Sequence, residues 1–337
     1  MTTMLTSLHR SRDAVTPALR AALAQLDPCS RAQAEYHFGW SDVDGRPTDG
    51  GSGKAVRPAL ALLSAAAAGA PPETGLPGAV AVELVHNFSL LHDDLMDGDV
   101  ERRHRRTVWA VWGASSAILT GDALLSLAHE TLLGSGSPYG APAGRLLATA
   151  TRELIRGQVQ DLAFERRADV TLSECVDMAA GKTGALLSAS AAIGAVLAGA
   201  PPAVVDALAT FGSHLGIAFQ LIDDVLGIWG DPSVTGKPVH SDLRARKKSL
   251  PITYVVNRGG TAGTALAGWL AAGGEPDEAG VATAADLVAA GGGRDWAIAE
   301  ATRRLELAQS ALDPAALPAG PRHELLTLGR FIVNREA

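Results

Sequence analysis

Cysteine and aromatic residues are both scarce in this sequence. It has only two cysteines, Cys29 and Cys175, which lie far apart and lack the CxxC spacing of a zinc or redox site. This excludes a disulfide-stabilised scaffold, and we expect a reducing, cytoplasmic environment. Aromatic residues make up 4% of the chain, which disfavours sandwiches and barrels because strands are enriched in aromatic and β-branched side chains.

Two further features are missing, a long apolar run and an excess of positive charge. The stretch nearest to a membrane span, residues 186–200, is short and rich in alanine, so we expect no integral membrane segment. The N-terminus also lacks the apolar core of a signal peptide. Acidic residues outnumber basic ones by 36 to 29, a net charge of −7, which argues against nucleic acid as a partner.

Apolar residues that recur at helical spacing are the main structural signal. Sustained alternation of apolar and polar residues is absent, as is an Asn-Gly turn between two β-branched runs. Stretches rich in glycine and proline separate the periodic segments and are typical of interhelical loops. We therefore predict an all-α fold, with one domain over residues 1–337 and roughly ten helices or more. Helices are predicted at residues 12–35, from 56 onward, and at 79–97, 115–133, 143–165, 172–198, 203–228, 250–258, 261–272, 280–290, 294–312 and 322–334.

One acidic pattern occurs twice, in "SLLHDDLMDGD" and in "FQLIDDVLGIWGD", each time near the C-terminal end of an apolar helix. Asp93 and Asp97 are four residues apart and share one helix face, where like charges repel. The helix macrodipole also disfavours anions at this end, so we expect a bound cation. Carboxylates without histidine or cysteine indicate Mg²⁺, or Mn²⁺ in its place, and Mg²⁺ is usually shared between one or two carboxylates and phosphate oxygens.

Four arginines follow the first acidic pattern directly, at positions 102, 103, 105 and 106. Guanidinium groups bind phosphate oxygens in a bidentate manner. Each motif alone could be a solvated helix end or a solvated loop, but the repeated acidic pattern weakens that interpretation. The combination predicts a phosphorylated ligand.

These motifs resemble those of the trans-isoprenyl diphosphate synthases, or polyprenyl synthetases. "HDDLMDGDVERR" is similar to the first aspartate-rich motif of that family. "GSGKAVRP", "VELVH", "GQVQDL", "GKTGALL", "FQLIDDVLG" and "GKPVHSDLRARKKSLP" match its other motifs in the same order, over about residues 50 to 255. The resemblance implies a helical bundle around a central cavity, a homodimer, and condensation of isopentenyl diphosphate with an allylic diphosphate.

The resemblance also implies a role for individual residues. Metal ligands are expected at Asp93, Asp97 and Asp223, which would hold roughly three Mg²⁺ ions, with support from Asp94 and Asp224. The allylic diphosphate would be neutralised by Arg102, Lys182 and Lys237. The diphosphate of isopentenyl diphosphate would be held by Lys54, Arg57, His86 and Arg103. The walls near the reacting carbons would include Gln158, Thr183 and Gln220.

Two adjacent residues bear on the length of the product. Phe88 lies five residues before Asp93, which corresponds to about 7.5 Å along a helix, and the small Ser89 follows it. In the family, bulk at these positions closes the pocket into which the chain grows. This pattern resembles type I geranylgeranyl diphosphate synthases, so we predict a product of twenty carbons, with fifteen as the alternative. Val85 is the next candidate for the floor, and Phe88 could instead serve only as core packing.

The second aspartate-rich motif departs from the family pattern, because Gly227 occupies the position of its last aspartate. Asp231, one turn further on, is a candidate substitute. A class I terpene cyclase would be an alternative function, but the (N/D)Dxx(S/T)xxxE triad of such enzymes is not present. Lys54, Arg57 and His86 would bind a second substrate, which a cyclase lacks. A non-catalytic subunit of a heteromeric synthase is disfavoured by the intact first motif.

Overall fold

Helices account for most of residues 2–48, 55–231 and 239–333, the ranges that the computed structural model describes, with side chains from residue 8 onward. Within these ranges the only paired strands form a hairpin of two residues per strand. This confirms the predicted all-α class. The helices are α1 (Thr2–Leu23), α2 (Pro28–His37), α3 (Val56–Ala67), α4 (Leu76–Met96), α5 (Val108–Trp112), α6 (Ala114–Leu133), α7 (Gly140–Glu165), α8 (Leu172–Ala179), α9 (Ala185–Leu197), α10 (Pro202–Trp229), α11 (Ser241–Arg244), α12 (Leu250–Arg258), α13 (Gly260–Ala271), α14 (Glu278–Ala290), α15 (Gly293–Ala311) and α16 (Ala319–Val333).

One predicted helix, over residues 12–35, is wrong, because the structure has two helices separated by a turn at 24–27. Pro28 cannot donate a backbone hydrogen bond to a preceding helix, but it fits the first position of a new one. Asp27 caps α2, since its side chain accepts hydrogen bonds from the backbone N–H groups of Cys29 and Ser30, at 3.0 and 3.1 Å. The strand pair β1 (Glu101–Arg102) and β2 (Arg105–Arg106), and the short α5, were also not predicted.

The chain divides into two compact units, so the single domain expected for residues 1–337 stays a prediction. Unit 1 comprises Met1–Thr151, Ala189–Ala209 and Leu312–Leu328. Within it, α4 packs against α3 and α6, and most of its apolar side chains are buried. This packing fixes the C-terminal end of α4, where the first aspartate-rich motif lies.

Unit 2 comprises Arg152–Ser188, Thr210–Ala311 and Gly329–Ala337. A π-helix, Ala180–Gly184, follows α8 directly and leads into α9. Gly157 of α7 allows the backbone of this π-helix to approach closely, since a Cβ atom at residue 157 would lie 2.1 Å from the Lys182 nitrogen. Short π segments within α-helices are frequently found at functional sites.

Two helical stretches, Leu172–Leu197 and Pro202–Trp229, are long and apolar enough to cross a membrane. Of their most apolar windows, however, 72% and 56% of the residues are buried inside the protein. Core helices of globular proteins have the same length and composition. Burial therefore accounts for their apolar character.

Candidate active site

The first aspartate-rich motif lies at the C-terminal end of α4, as its sequence spacing predicts. The helix ends at Met96, and Asp97 is its C-cap residue. Asp93 is half-buried and Asp97 is exposed, whereas Asp94 is buried with 1% of its surface accessible. The two carboxylates expected to ligate metal are thus the more accessible ones.

Asp94 pairs with Arg102, which joins the acidic and basic parts of the motif. The Arg102 Nε atom donates a hydrogen bond of 2.6 Å to Asp94 Oδ1, while Asp94 Oδ2 is buried without a hydrogen-bond partner in the described residues. Burial raises the pKa of Asp94 to about 6, although the charge of Arg102 opposes this shift. Asp94 therefore holds the arginine segment against α4.

The arginine segment folds into the hairpin formed by β1 and β2. Its two turn residues, Arg103 and His104, have φ angles of 53° and 60°, in the left-handed region that non-glycine residues rarely occupy. A cavity of about 130 Å³ adjoins this hairpin. Its lining includes Tyr36, His37, Phe38, Asp94, Arg102, Arg103, Arg105 and Arg106. Four guanidinium groups around one cavity favour an anionic ligand.

Three residues predicted to hold isopentenyl diphosphate, namely Arg57, His86 and Arg103, lie close enough to interact electrostatically. Burial lowers the pKa of His86 well below its ordinary value, and the positive charges of Arg57 and Arg103 lower it further. His86 is therefore a neutral hydrogen-bonding group near two cations. Lys54, the fourth member of this predicted set, lies outside the described residues.

A buried carboxyl group, Glu83, accompanies this set and was missed in the sequence. Burial raises its pKa, whereas the charge of Arg57 opposes the shift. The Asn87 side-chain amide donates to the Glu83 carbonyl oxygen at 2.8 Å and to its carboxylate at 3.3 Å. An ionisable residue within the apolar segment "AVELVH", one turn before His86, is the signal that could have indicated it.

In unit 2, the π-helix carries Lys182 and Thr183. Lys182 Nζ donates a hydrogen bond of 2.6 Å to Asp161 Oδ2, and Lys247 Nζ lies 3.9 Å from the same oxygen. Burial would raise the pKa of Asp161, but the charges of Lys247 and Lys182 outweigh it and lower the pKa below its ordinary value. Asp161, in "GQVQDL", was not predicted, and it fixes the position of Lys182.

A chain of hydrogen bonds connects the π-helix to the second aspartate-rich motif. Thr183 Oγ1 donates to Gln220 Oε1 at 2.5 Å, and Gln220 Nε2 donates to Asp224 Oδ1 at 2.7 Å. Asp224 Oδ2 accepts from the backbone N–H of Leu250 at 2.8 Å, at the start of α12. Burial, followed by repulsion from Asp242, raises the pKa of Asp224 to about 7. Asp224 therefore supports the motif, and Asp223 beside it is more accessible.

Gly227, the departure from the family motif, lies against another carboxylate. A Cβ atom at residue 227 would be 2.4 Å from Asp242 Oδ2. The carboxylate of Asp242 thus occupies the space that a side chain at 227 would fill. Asp242 therefore adds a carboxylate beside the second aspartate-rich motif, and such oxygen ligands suit Mg²⁺.

Two predicted site residues remain, Gln158 and Lys237. Gln158 is buried, and neither side-chain atom has a hydrogen-bond partner in the described residues, as expected for a polar group that faces a ligand. Lys237 lies outside the described residues. Within the described residues, no group of three or more histidine, cysteine, aspartate or glutamate side chains is arranged to hold a metal ion.

The motifs that form this site match a known protein family. A model of the polyprenyl synthetase family matches residues 49–287. The chain belongs to the polyprenyl synthetase family. This confirms the resemblance inferred from the motifs, and it makes the protein an enzyme of the trans-prenyl diphosphate synthase type.

Relatives of this polyprenyl synthetase differ in the product for which they are named. A (2E,6E)-farnesyl diphosphate synthase of Mycobacterium tuberculosis is 54% identical, with 98% of this chain and 93% of the relative covered. A geranylgeranyl diphosphate synthase of the same organism is 42% identical, with the same coverage. The crystal structure of a polyprenyl synthetase from Streptomyces coelicolor has a TM-score of 0.94 and 51% identity, and the match covers 98% of this chain and 99% of that one.

Proposed function

We propose that this polyprenyl synthetase condenses isopentenyl diphosphate with allylic diphosphates of five to fifteen carbons to give all-trans geranylgeranyl diphosphate. The observation that carries the product length is the position of Phe88. Its side chain is 5% exposed and packs edge-to-face on His92, with ring centroids 4.8 Å apart. Ser89, the neighbouring residue, leaves room for a chain that a second aromatic side chain would block.

The residues on the two aspartate-rich helices and around them have distinct roles in this proposal. Arg102, Lys182 and Lys237 neutralise the allylic diphosphate, while Lys54, Arg57, His86 and Arg103 hold the diphosphate of isopentenyl diphosphate. Asp93, Asp97 and Asp223 ligate Mg²⁺, with Asp94 and Asp224 in support. When bound, Mg²⁺ stabilises the negative charge that grows on the leaving pyrophosphate. Thr183, Gln158 and Gln220 line the reacting carbons.

The reaction requires no nucleophile from the enzyme. The allylic C–O bond breaks, and the double bond of isopentenyl diphosphate supplies the electron pair for the new C–C bond. A proton then leaves the product cation, and the departing pyrophosphate is its acceptor. Cationic side chains held in place before the reaction favour the charge-separated state because they need no reorganisation, and the orientation of both substrates lowers the entropic cost.

A fifteen-carbon product is the second candidate, since the farnesyl diphosphate synthases are the more similar relatives, at 54% against 42% identity. It would require that a residue other than Phe88 closes the pocket earlier. Ser89 itself is too small to do so. The overall identity to relatives therefore favours farnesyl diphosphate as the product, whereas the residues just before Asp93 favour geranylgeranyl diphosphate.

A product-length assay decides between these candidates. The purified enzyme is incubated with Mg²⁺, isopentenyl diphosphate and allylic primers of five, ten or fifteen carbons, and the dephosphorylated products are separated by length. We expect twenty carbons from every primer. Accumulation of fifteen carbons, with no extension of the fifteen-carbon primer, would support the second candidate. Cyclic hydrocarbon formed without isopentenyl diphosphate would instead indicate a cyclase, and no pyrophosphate release would indicate a non-catalytic subunit.

We also propose a cytoplasmic homodimer. Helix α6 exposes large apolar side chains, among them Ile118 at 43% and Leu119 at 64%. Burial of such side chains stabilises contacts between protein chains.

A further inference from the structure

Helix α2 contacts the arginine hairpin through Tyr36. The Tyr36 hydroxyl donates a hydrogen bond of 2.7 Å to the Arg106 carbonyl oxygen. The guanidinium of Arg105 lies over the Tyr36 ring, 4.3 Å from its centroid, in a cation–π contact. One side chain thus binds both residues of strand β2.

The hairpin needs such external support. Each strand has only two residues, and an isolated hairpin is marginal in water even when it is longer. Arg103 and His104 both have positive φ, and a non-glycine residue in the left-handed region costs about 1 kcal/mol or more. Four neighbouring positive charges add repulsion. Contacts from outside the hairpin must therefore hold it in this conformation.

The two strands are supported by different residues. On β1, Arg102 is bound by Asp94 of α4 at 2.6 Å. On β2, the support comes from α2 and the segment after it, since Arg105 also donates to the Ser41 carbonyl oxygen at 2.6 Å. The position of Arg103, in the turn between the strands, depends on both of them. Loss of the β2 support should therefore displace Arg103 more than Arg102.

Helix α2 is itself well fixed. Its N-terminus is capped by Asp27, and the buried Gln33 accepts a hydrogen bond of 2.6 Å from Thr120 of α6. Tyr36 also packs edge-to-face on Trp112, with ring centroids 4.9 Å apart. The helix is therefore a rigid base for the contact with the hairpin.

We propose that Tyr36 is a positioning residue, which holds strand β2 so that Arg103 is presented to the diphosphate of isopentenyl diphosphate. The inference rests on the proposed function for its choice of substrate. In this role Tyr36 acts through the hydrogen bond to Arg106 and the contact with Arg105.

The test compares Y36F, which removes the hydroxyl alone, with Y36L, which also removes the aromatic face. For Y36F we expect KM for isopentenyl diphosphate to rise about threefold to tenfold, the effect of one lost hydrogen bond, with kcat and KM for the allylic diphosphate changed by less than about twofold. Y36L should raise the same KM further. Y254F is the control, since Tyr254 lies in unit 2 and stacks on Trp296, and it should behave like the wild type.

Two results would overturn the proposal. One is an unchanged KM for isopentenyl diphosphate in both variants. The other is an equal loss for both substrates that follows a lower melting temperature, because that would indicate only a role in folding. Binding of inorganic pyrophosphate, measured by calorimetry without catalysis, separates this proposal from the proposed function. A wild type that binds pyrophosphate but forms no prenyl product contradicts the function, and weaker binding by Y36F still supports the positioning role.

Discussion

Phe88 and Ser89 are neighbours on α4, and the side chain of Phe88 is larger because it carries a phenyl ring where Ser89 has a hydroxyl group. We expect F88A to extend the product beyond twenty carbons, because the ring that closes the pocket is removed. S89F should have the opposite effect and stop the chain at fifteen carbons. Both are measured by separating the dephosphorylated products. An unchanged product length in F88A would show that another residue closes the pocket, with Val85 as the first candidate.

Because His37 is buried, we expect the stability of the protein to depend on pH. Burial, followed by the charges of Arg102 and Arg103, lowers the pKa of His37 from 6.5 to about 3. Between these values the unfolded chain binds a proton that the folded protein does not, so the free energy of unfolding falls as the pH decreases. The slope is about 1.4 kcal/mol per pH unit.

We therefore expect the wild type to lose about 2 kcal/mol more stability than H37Q between pH 7.5 and pH 5. Glutamine keeps an amide that can hydrogen-bond, but it does not titrate. Urea unfolding at both pH values measures the difference. H9Q, which changes an exposed histidine of α1, is the control and should follow the wild type. Parallel losses in all three proteins would contradict the prediction.

At the level of elements, the long helices were predictable because each has a continuous apolar face. The aspartate-rich helix ends were predictable for the same reason, since the helical repeat fixes which carboxylates share a face. The hairpin at residues 101–106 could not be read from propensity, because its turn lacks the glycine or asparagine that such a turn usually has. Its conformation depends on Asp94 and Tyr36, which contact it from other elements.

Helix α2 was likewise not predictable from the sequence alone. In the sequence, residues 1–35 carried no recognisable chemistry, and the break before Pro28 was missed. The π-helix also has no local sequence signature, and the close approach of Gly157 to Lys182 that accompanies it is a tertiary contact. Supporting residues such as Asp161 and Glu83 are defined by their tertiary partners, which sequence spacing does not give.

Gly157 provides a test of this contact. In G157A the added Cβ would lie 2.1 Å from the Lys182 nitrogen and 2.7 Å from its Cα, both backbone atoms that cannot rotate away. We expect a destabilisation of about 3 kcal/mol or more, measured by urea unfolding. G268A in α13 is the matched control, because a Cβ there meets nothing within 4 Å. Helix propensity should make that variant more stable by up to about 1 kcal/mol.

At the scale of the whole molecule, the order of the motifs along the chain was enough to predict the family. The match over residues 49–287 confirms it, because a collinear set of seven motifs constrains a fold far more than one motif does. Product length depends instead on a few side chains in one pocket. Relatives with the same fold are accordingly named for different products.

The homodimer can be tested by light scattering on a sizing column. We expect twice the mass of one chain. L119E, which places a charge on the exposed apolar face of α6, should shift the protein toward the monomer, since an unpaired charge is costly to bury. V43E, at another exposed apolar position, should leave the mass unchanged. A wild type that elutes with the mass of a single chain would contradict the prediction.

The π-helix over Ala180–Gly184 also determines how this enzyme tolerates a deletion. Its hydrogen bonds span five residues instead of four, so the segment holds one residue more than a regular helix would need. Removal of one residue there would give an ideal helix by local criteria. The flanking helices would keep their faces, because the wide turn absorbs the extra residue, and the buried Cys175 and Met178 would stay in the core. Lys182 and Thr183 lie within the wide turn, so their contacts with Asp161 and Gln220 would change instead.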